Sequence, residues 1–257
     1  MIMQYPLTLS SDRAFSYSPA DFPNLRNGVT ELDHSGPEAE FVAEILKQNS
    51  YSPTLMLGTQ ASEESFKNLS GRNNEIIHIA SLGFYWTENQ ADKAARYNKN
   101  FIFMSQRGDN AFRHAEDRAL TRSGILMAGA NHAFNGETIP AGVDDGILTA
   151  QEISRLDLKG TDLVVLSACE TGMGEISGDG VFGLQRGLKK AGVNSVLMSL
   201  WKVDDNASEI LMKAFYRNLM SGLAKQQSLL NAQKELRDKG FDDPYFWGAF
   251  ILLDALN

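Results

Sequence analysis

The apolar residues of this chain follow two alternating patterns. One consists of short unbroken runs: Thr54-Leu-Met-Leu57, Glu75-Ile-Ile-His-Ile-Ala80, Gly124-Ile-Leu-Met-Ala-Gly129, Asp162-Leu-Val-Val-Leu-Ser-Ala168 and Ser195-Val-Leu-Met-Ser-Leu200. Each is too short for a helix and rich in branched side chains, so each predicts a strand buried on both faces. A further run over 246–253, mixed aromatic and aliphatic, predicts a last strand. The second pattern has helical spacing. Phe41, Val42, Ile45 and Leu46 share one face of a helix from 35 to about 48, opened by Ser35-Gly-Pro-Glu38 with capping-box spacing and proline in the first turn. Short helices are expected over 62–69 and 148–154. Val181, Leu184, Leu188 and Ala191 give a helix over 180–191, and two more are marked by Ile210, Leu211, Ala214, Phe215 and Leu219 and by Leu229, Leu230, Ala232 and Leu236.

Buried strands alternating with amphipathic helices predict an α/β fold, a mostly parallel central sheet with helices on both faces. Residues 1–34 carry Pro6, Pro19 and Pro23 without a period and read as an irregular lead-in, with a short strand near 29–32. The folded domain is expected over 35–257. Within it, 86–122 is rich in charge and amide and reads as a long excursion from the sheet.

Composition narrows the function classes. A net charge of −8 argues against nucleic acid or an anionic membrane as partner. No apolar run approaches the ~20 residues of a membrane-spanning helix, and the first residues lack the charged and apolar regions of a signal peptide. A single cysteine cannot form an internal disulfide and suits a reducing compartment such as the cytoplasm. The triplets Asn68-Leu-Ser70 and Asn206-Ala-Ser208 match a glycosylation signal that matters only in a secreted protein.

Chemistry concentrates in Leu163-Val-Val-Leu-Ser-Ala-Cys-Glu-Thr-Gly-Met-Gly174, where a buried strand ends at the lone thiol and breaks into glycines. Ligands and catalytic groups of parallel sheets gather at the carboxyl ends of strands. Cys169 therefore reads either as a packed thiol or as a presented nucleophile. A nucleophile needs a base and oxyanion donors. Gly83, at the end of a neighbouring strand, is placed to offer a backbone N–H. The base is harder to find. His78 lies inside its strand, about 13 Å short of position 82 at ~3.3 Å per residue, and reads as a core histidine. His114 and His132 lie in polar segments. Gly178-Asp-Gly-Val-Phe-Gly183 fits G-x-G-x-x-G but follows a late strand after a long gap, so it does not read as a dinucleotide site, and no P-loop sequence is present. The four histidines and one cysteine have no paired spacing, so neither a metal nor a cofactor is expected. Asp204 or Asp205 is expected to cap the following helix; the alternative is that one of them, or Asp179, lends negative charge to a peptide cleft.

Several ordered motifs together resemble the CHAT domain, a caspase-like family related to separases and often fused to tetratricopeptide repeats. They are Asp144-Asp-Gly-Ile-Leu-Thr-Ala-Gln-Glu-Ile, the Ser-Ala-Cys-Glu-Thr-Gly core, Gly178 to Gly183, Ser199-Leu-Trp-Lys-Val-Asp-Asp205, Ala214-Phe-Tyr and Tyr245-Phe-Trp-Gly-Ala-Phe250. The resemblance implies a caspase-like α/β sandwich and a Cys–His pair that cleaves peptide bonds, with Cys169 as nucleophile and Gly83 in the oxyanion hole. The family's catalytic histidine closes a pattern like H-x-A-T-H-G; here the segment reads His78-Ile-Ala-Ser-Leu-Gly83, and Leu82 stands at the catalytic position. It also implies a polypeptide substrate or partner protein, a taste for basic residues that suits an acidic chain, and a repeat or sensor region outside this chain. The sequence thus describes a peptidase fold that is inactive or strongly impaired as written. The alternatives are a non-catalytic peptide-binding or regulatory module, and an enzyme that uses His132 or His114 as its base.

Overall fold

The computed structural model of the protein describes residues 2–4, 34–85, 120–134, 139, 143–167, 178–201 and 203–254. Their strands are β1 (Ile2–Gln4), β2 (Leu55–Leu57), β3 (Ile76–Ala80), β4 (Gly83–Tyr85), β5 (Ser123–Leu126), β6 (Ile147–Thr149), β7 (Leu163–Leu166), β8 (Ser195–Ser199) and β9 (Phe250–Leu253). Their helices are α1 (Ser35–Gln48), α2 (Glu63–Lys67), α3 (Ala130–Phe134), α4 (Ala150–Ile153), α5 (Gly178–Ala191), α6 (Asp205–Met220), α7 (Lys225–Asp238) and α8 (Pro244–Trp247). The main sheet has the order β2-β1-β3-β7-β8-β9. Its neighbours are parallel except β9, which runs antiparallel to β8. A second, antiparallel sheet has the order β4-β5-β6.

The period of two sorts the strand side chains between two apolar layers. Ile76, Leu163, Val165 and Leu197 point into the layer covered by α1, α6 and α7, where Val42, Leu211, Phe215 and Leu236 meet them. Ile77, Ile79, Val164, Leu166, Val196 and Met198 point into the opposite layer, with Phe66 of α2, Ile153 of α4 and Leu184 and Leu188 of α5. Both faces of the sheet are therefore covered, as the unbroken apolar strands require. Together with the mostly parallel sheet, this is a caspase-like α/β sandwich.

Several local expectations change. Residues 2–4, assigned to an irregular lead-in, form β1 in the interior of the main sheet between β2 and β3. The strand expected near 29–32, and most of the 86–122 excursion, lie outside the described residues. At α1 the N-cap is His34, whose side chain makes no capping bond, and Glu38 is buried. The capping box is found at α4: the Thr149 hydroxyl accepts from Glu152 N–H, and the Glu152 carboxylate accepts from Thr149 N–H. The aromatic run after Asp243 begins as a helical turn, since Pro244 sits in the first turn and Asp243 caps it; the strand starts only at Phe250. The strand expected over 124–129 ends at Leu126, and Ala128 leaves to bridge Ser62.

Candidate active site

The site expected from the sequence lies where the two sheets join. β3 ends at Ala80, and after Ser81 and Leu82 β4 begins in the second sheet. The step between them is pinned twice to β5: Ser81 Oγ donates to the Leu126 carbonyl at 2.5 Å, and Leu126 N–H donates to the Leu82 carbonyl at 2.8 Å. Leu82 is thereby held at only 7% exposure. Gly83 opens β4 opposite Ile125. β7 runs parallel beside β3, and Ser167 N–H donates to the Ile79 carbonyl at 3.1 Å. The chain leaves β7 next to the end of β3; Cys169 itself lies outside the described residues. Ser167 is buried there, and its Oγ has no hydrogen-bond partner in the structure.

The described histidines have different surroundings. His78 is fully buried on the α1/α6 side of β3. Its Nδ1 is 3.2 Å from the Tyr216 hydroxyl, and its Nε2 is 2.9 Å from Glu38 Oε1. The latter contact has ion-pair distance but is not aligned as a hydrogen bond, and it leaves both atoms buried without another partner. The rings of His78 and Tyr216 meet edge to face with centroids 5.5 Å apart. His132 is exposed on α3. His34 Nδ1 approaches Glu209 Oε2 at 2.7 Å on the rim of α1 and α6. His114 lies outside the described residues.

A second concentration of charge surrounds Lys67. Its ammonium lies 2.7 Å from Glu63 Oε1, 3.1 Å from Asp144 Oδ2 and 3.1 Å from Glu152 Oε1. Glu63 is 1% exposed and its Oε2 accepts the Gly146 N–H at 2.9 Å, while Glu64 Oε1 accepts the Asp144 N–H at 2.7 Å. Gly146 cannot be replaced here: its φ is +77°, and a Cβ would lie 2.3 Å from the Ala130 nitrogen. Burial, followed by the Glu152 charge, pushes the Glu63 carboxyl up to about 8 against the pull of Lys67. Burial also raises Asp145, which shares a hydrogen bond with Glu63. Burial alone would lower the Lys67 ammonium, but its carboxylate neighbours overcome this and raise it. The cluster ties α2 to the segment before β6 and to α4. Among the described residues no group of three or more His, Cys, Asp or Glu side chains is arranged to hold a metal ion.

Comparison with known proteins decides the family. A sequence model of the CHAT domain matches residues 10–255. The chain belongs to the CHAT family. It is also similar to tetratricopeptide repeat protein 28 of Mus musculus, 38% identical over 110 residues that make up 42% of this chain and 4% of that protein. Its likeness to tetratricopeptide repeat protein 28 of Homo sapiens is 35% over 126 residues, 48% of this chain and 5% of that protein. The chain thus spans about one-twentieth of the curated relatives it matches.

Against this CHAT fold, the remaining sequence candidates are mostly structural. Asp204 caps α6, its Oδ1 accepting from Ala207 N–H at 3.0 Å, and Asp205 is the first residue of the helix. Gly178 to Gly183 form the opening turns of α5 rather than a loop ahead of it. The Asp179 side chain lies outside the described residues. The Asp-Asp-Gly-Ile-Leu-Thr-Ala-Gln-Glu motif acquires a role that its pattern did not disclose: Asp144, Gly146, Thr149 and Glu152 build the charged clasp around Lys67. Glu63 and Lys67, four residues apart on α2, were the available signal for it. The Glu38–His78–Tyr216 contact joins residues 40 and 138 positions apart, and no local pattern announces it. Among the described residues no helix is long and apolar enough to cross a membrane.

Proposed function

We propose that this CHAT domain is a caspase-like cysteine peptidase scaffold that keeps the nucleophile Cys169 but lacks its base, and is inactive or strongly impaired as written. The observation that supports this most is Leu82. An aliphatic side chain, buried and pinned through its carbonyl to β5, occupies the position that the family's pattern gives to the catalytic imidazole. A thiol without that imidazole is mostly protonated near neutral pH, and nothing there would hand a proton to the leaving amine. Loss of one member of such a pair costs several orders of magnitude in rate. His78 does not substitute for it. It lies in the interior of β3, closed off by Glu38 and Tyr216.

A peptide-binding or regulatory module is the second reading, and the relatives favour it. Both are named as tetratricopeptide repeat proteins, which supports a setting in which this domain answers to a repeat region outside the chain. In that setting the junction of the sheets holds a polypeptide segment without cleaving it. A reducing compartment such as the cytoplasm fits a single free cysteine.

Leu82→His, assayed on a peptide library with Leu82→His/Cys169→Ala as control, separates these readings. The impaired peptidase is expected to gain cleavage by about 10²-fold or more, all of it dependent on Cys169. No Cys169-dependent gain, together with retained peptide binding by the unaltered chain, overturns the peptidase reading in favour of the module. Selective labelling of Cys169 by a thiol-reactive peptide in the unaltered chain, abolished by His132→Ala or His114→Ala, would instead reveal another base.

A further inference from the structure

Glu63 is an acidic side chain, 1% exposed, at the start of the short helix α2. Lys67, one turn on, accounts for one of its oxygens. The other does something that Lys67 does not require: Oε2 accepts the N–H of Gly146, ahead of β6. We infer that Glu63 is a positioning residue for the candidate site, which fixes the direction of the Gly83 N–H through Gly146 and the end of β5. The inference rests on the proposed function only in taking that N–H as an oxyanion donor.

The path runs through hydrogen bonds and planar peptide units. Glu63 Oε2 holds the Gly146 N–H at 2.9 Å, and the Gly146 carbonyl accepts from Met127 N–H at 2.7 Å. Met127 N–H and the Leu126 carbonyl belong to one trans peptide, so they point in opposite directions. The carbonyl thereby meets Ser81 Oγ, which donates to it at 2.5 Å. Leu126 N–H in turn donates to the Leu82 carbonyl at 2.8 Å. That carbonyl and Gly83 N–H again share one peptide. With the carbonyl held toward β5, the Gly83 N–H is aimed away from β5 and out of the β4–β5 ladder, where Gly83 stands opposite Ile125. Turning the Leu126–Met127 unit would turn the Leu82–Gly83 unit with it.

The first bond of this path is the one a side chain controls. The Gly146 N–H is buried at that bond, and a buried N–H without an acceptor is costly, so the turn would move to find another. Helix α2 has its own holds. Ala128 N–H donates to the Ala61 carbonyl at 3.0 Å, and Ser62 Oγ accepts from Ser65 N–H at 3.2 Å as the helix cap. Lys67 keeps Asp144 and Glu152 as partners. Losing the Glu63 carboxyl is therefore expected to release the Gly146 turn rather than the helix.

The test compares Glu63→Ala with Glu63→Gln by amide NMR and hydrogen exchange. Burial raises the Glu63 carboxyl to about 8, so the neutral amide of glutamine is its close substitute near pH 7. In Glu63→Ala the Leu126 and Met127 amides should exchange about tenfold faster and the Gly83 amide shift should move, while α1, α6 and α7 stay unchanged. Glu63→Gln should restore all three amides. If Glu63→Ala does not fold, Glu63→Asp replaces it, since its shorter side chain draws the oxygen back from Gly146; the same changes are expected. Unmoved Gly83 and Leu126 amides, loosening shared with α1, α6 and α7, or a glutamine variant that behaves like alanine each overturn the inference. In a Leu82→His background that cleaves peptides, Glu63→Ala should lower kcat about tenfold with KM unchanged, and Glu63→Gln should restore it. An unchanged kcat there overturns the positioning role. If Leu82→His gains no cleavage, it is the peptidase reading that fails, and the amide measurements still decide whether Glu63 sets Gly83.

Discussion

On one face of the central sheet, Glu38 and His78 bring ionisable groups into the middle of an apolar layer beneath α1 and α6. On the other face, beneath α2, α4 and α5, the titratable groups Glu63, Asp145, Glu152 and Lys67 gather at the margin of the apolar layer. The two arrangements differ in how many partners each charge has. Lys67 touches three carboxylates and Glu63 also holds a backbone N–H, so losing one contact leaves others. Glu38 Oε1 and His78 Nε2 have only each other. The interior pair should therefore be brittle and the marginal cluster tolerant.

The sharpest way to break the comparison is Glu38→Ala. It strands a buried imidazole and opens space under α1, and breaking a buried pair by removing one partner costs about 3–5 kcal/mol. Chemical denaturation of the variant measures it. A loss under about 1 kcal/mol would mean that His78 finds water, and the contrast between the faces would collapse. Next comes Gly187→Ala on the opposite face. A Cβ there would sit 2.5 Å from the Ala150 carbonyl oxygen, where α5 crosses α4. Forcing the helices apart costs about 1–3 kcal/mol. The loss should appear as faster hydrogen exchange in α4 and α5 while α1 is unaffected; uniform loosening of both layers would show that the faces are not independent.

These two positions also show what was legible in the sequence. Burial of the strands on both faces, the mostly parallel sheet and the amphipathic helices follow from local periodicity, which is a property of neighbours in the chain. The CHAT family was legible through ordered motifs, which residues 10–255 match. Gly187 was not, because its meaning depends on a carbonyl 37 residues away, at Ala150. Nor was Glu38: its spacing from Ser35 fits a capping box, and only β3 packed beneath α1 turns it inward. Ile2–Gln4 could not be read as a strand because three residues carry no period, and β2 and β3 supply the pairing.

A smaller effect sharpens the marginal side. The Glu63 carboxyl is raised to about 8, above its ordinary value, chiefly by burial. A folded-state value above the unfolded one stabilises fully below the ordinary carboxylate range and loses that stability as pH rises through the folded value. The clasp should therefore weaken as pH rises from about 4.5 toward 8, where Glu63 gives up its proton among Asp145 and Glu152. Glu63→Gln keeps an acceptor for Gly146 N–H and cannot ionise. Its Tm should fall less than that of the unaltered chain across this interval. An equal fall in both would mean that Glu63 is already ionised in the folded protein.

The mildest test sets the buried pair against its neighbour on the rim. His34 and Glu209 meet at 2.7 Å just before α1, so α1 begins between two histidine–glutamate contacts, one outside and one inside. The outer one differs in two respects. Its histidine side chain is 42% exposed, and Glu209 is also held by Lys213 at 2.5 Å. Burial works against the Glu209 carboxylate, but the bonds from Lys213 and His34 outweigh it and lower its pKa. Removing His34 thus leaves a carboxylate that is still paired and an end of α1 that water can solvate. A double-mutant cycle of His34→Ala with Glu209→Ala should give a coupling of about 0.2–1 kcal/mol, reduced by added salt. The Glu38→Ala loss should exceed it several-fold and respond little to salt. A coupling above about 2 kcal/mol at His34 would show that exposure and a spare partner do not make the outer contact tolerant, and the rule that separates the two faces would fail at the helix where both kinds of contact meet.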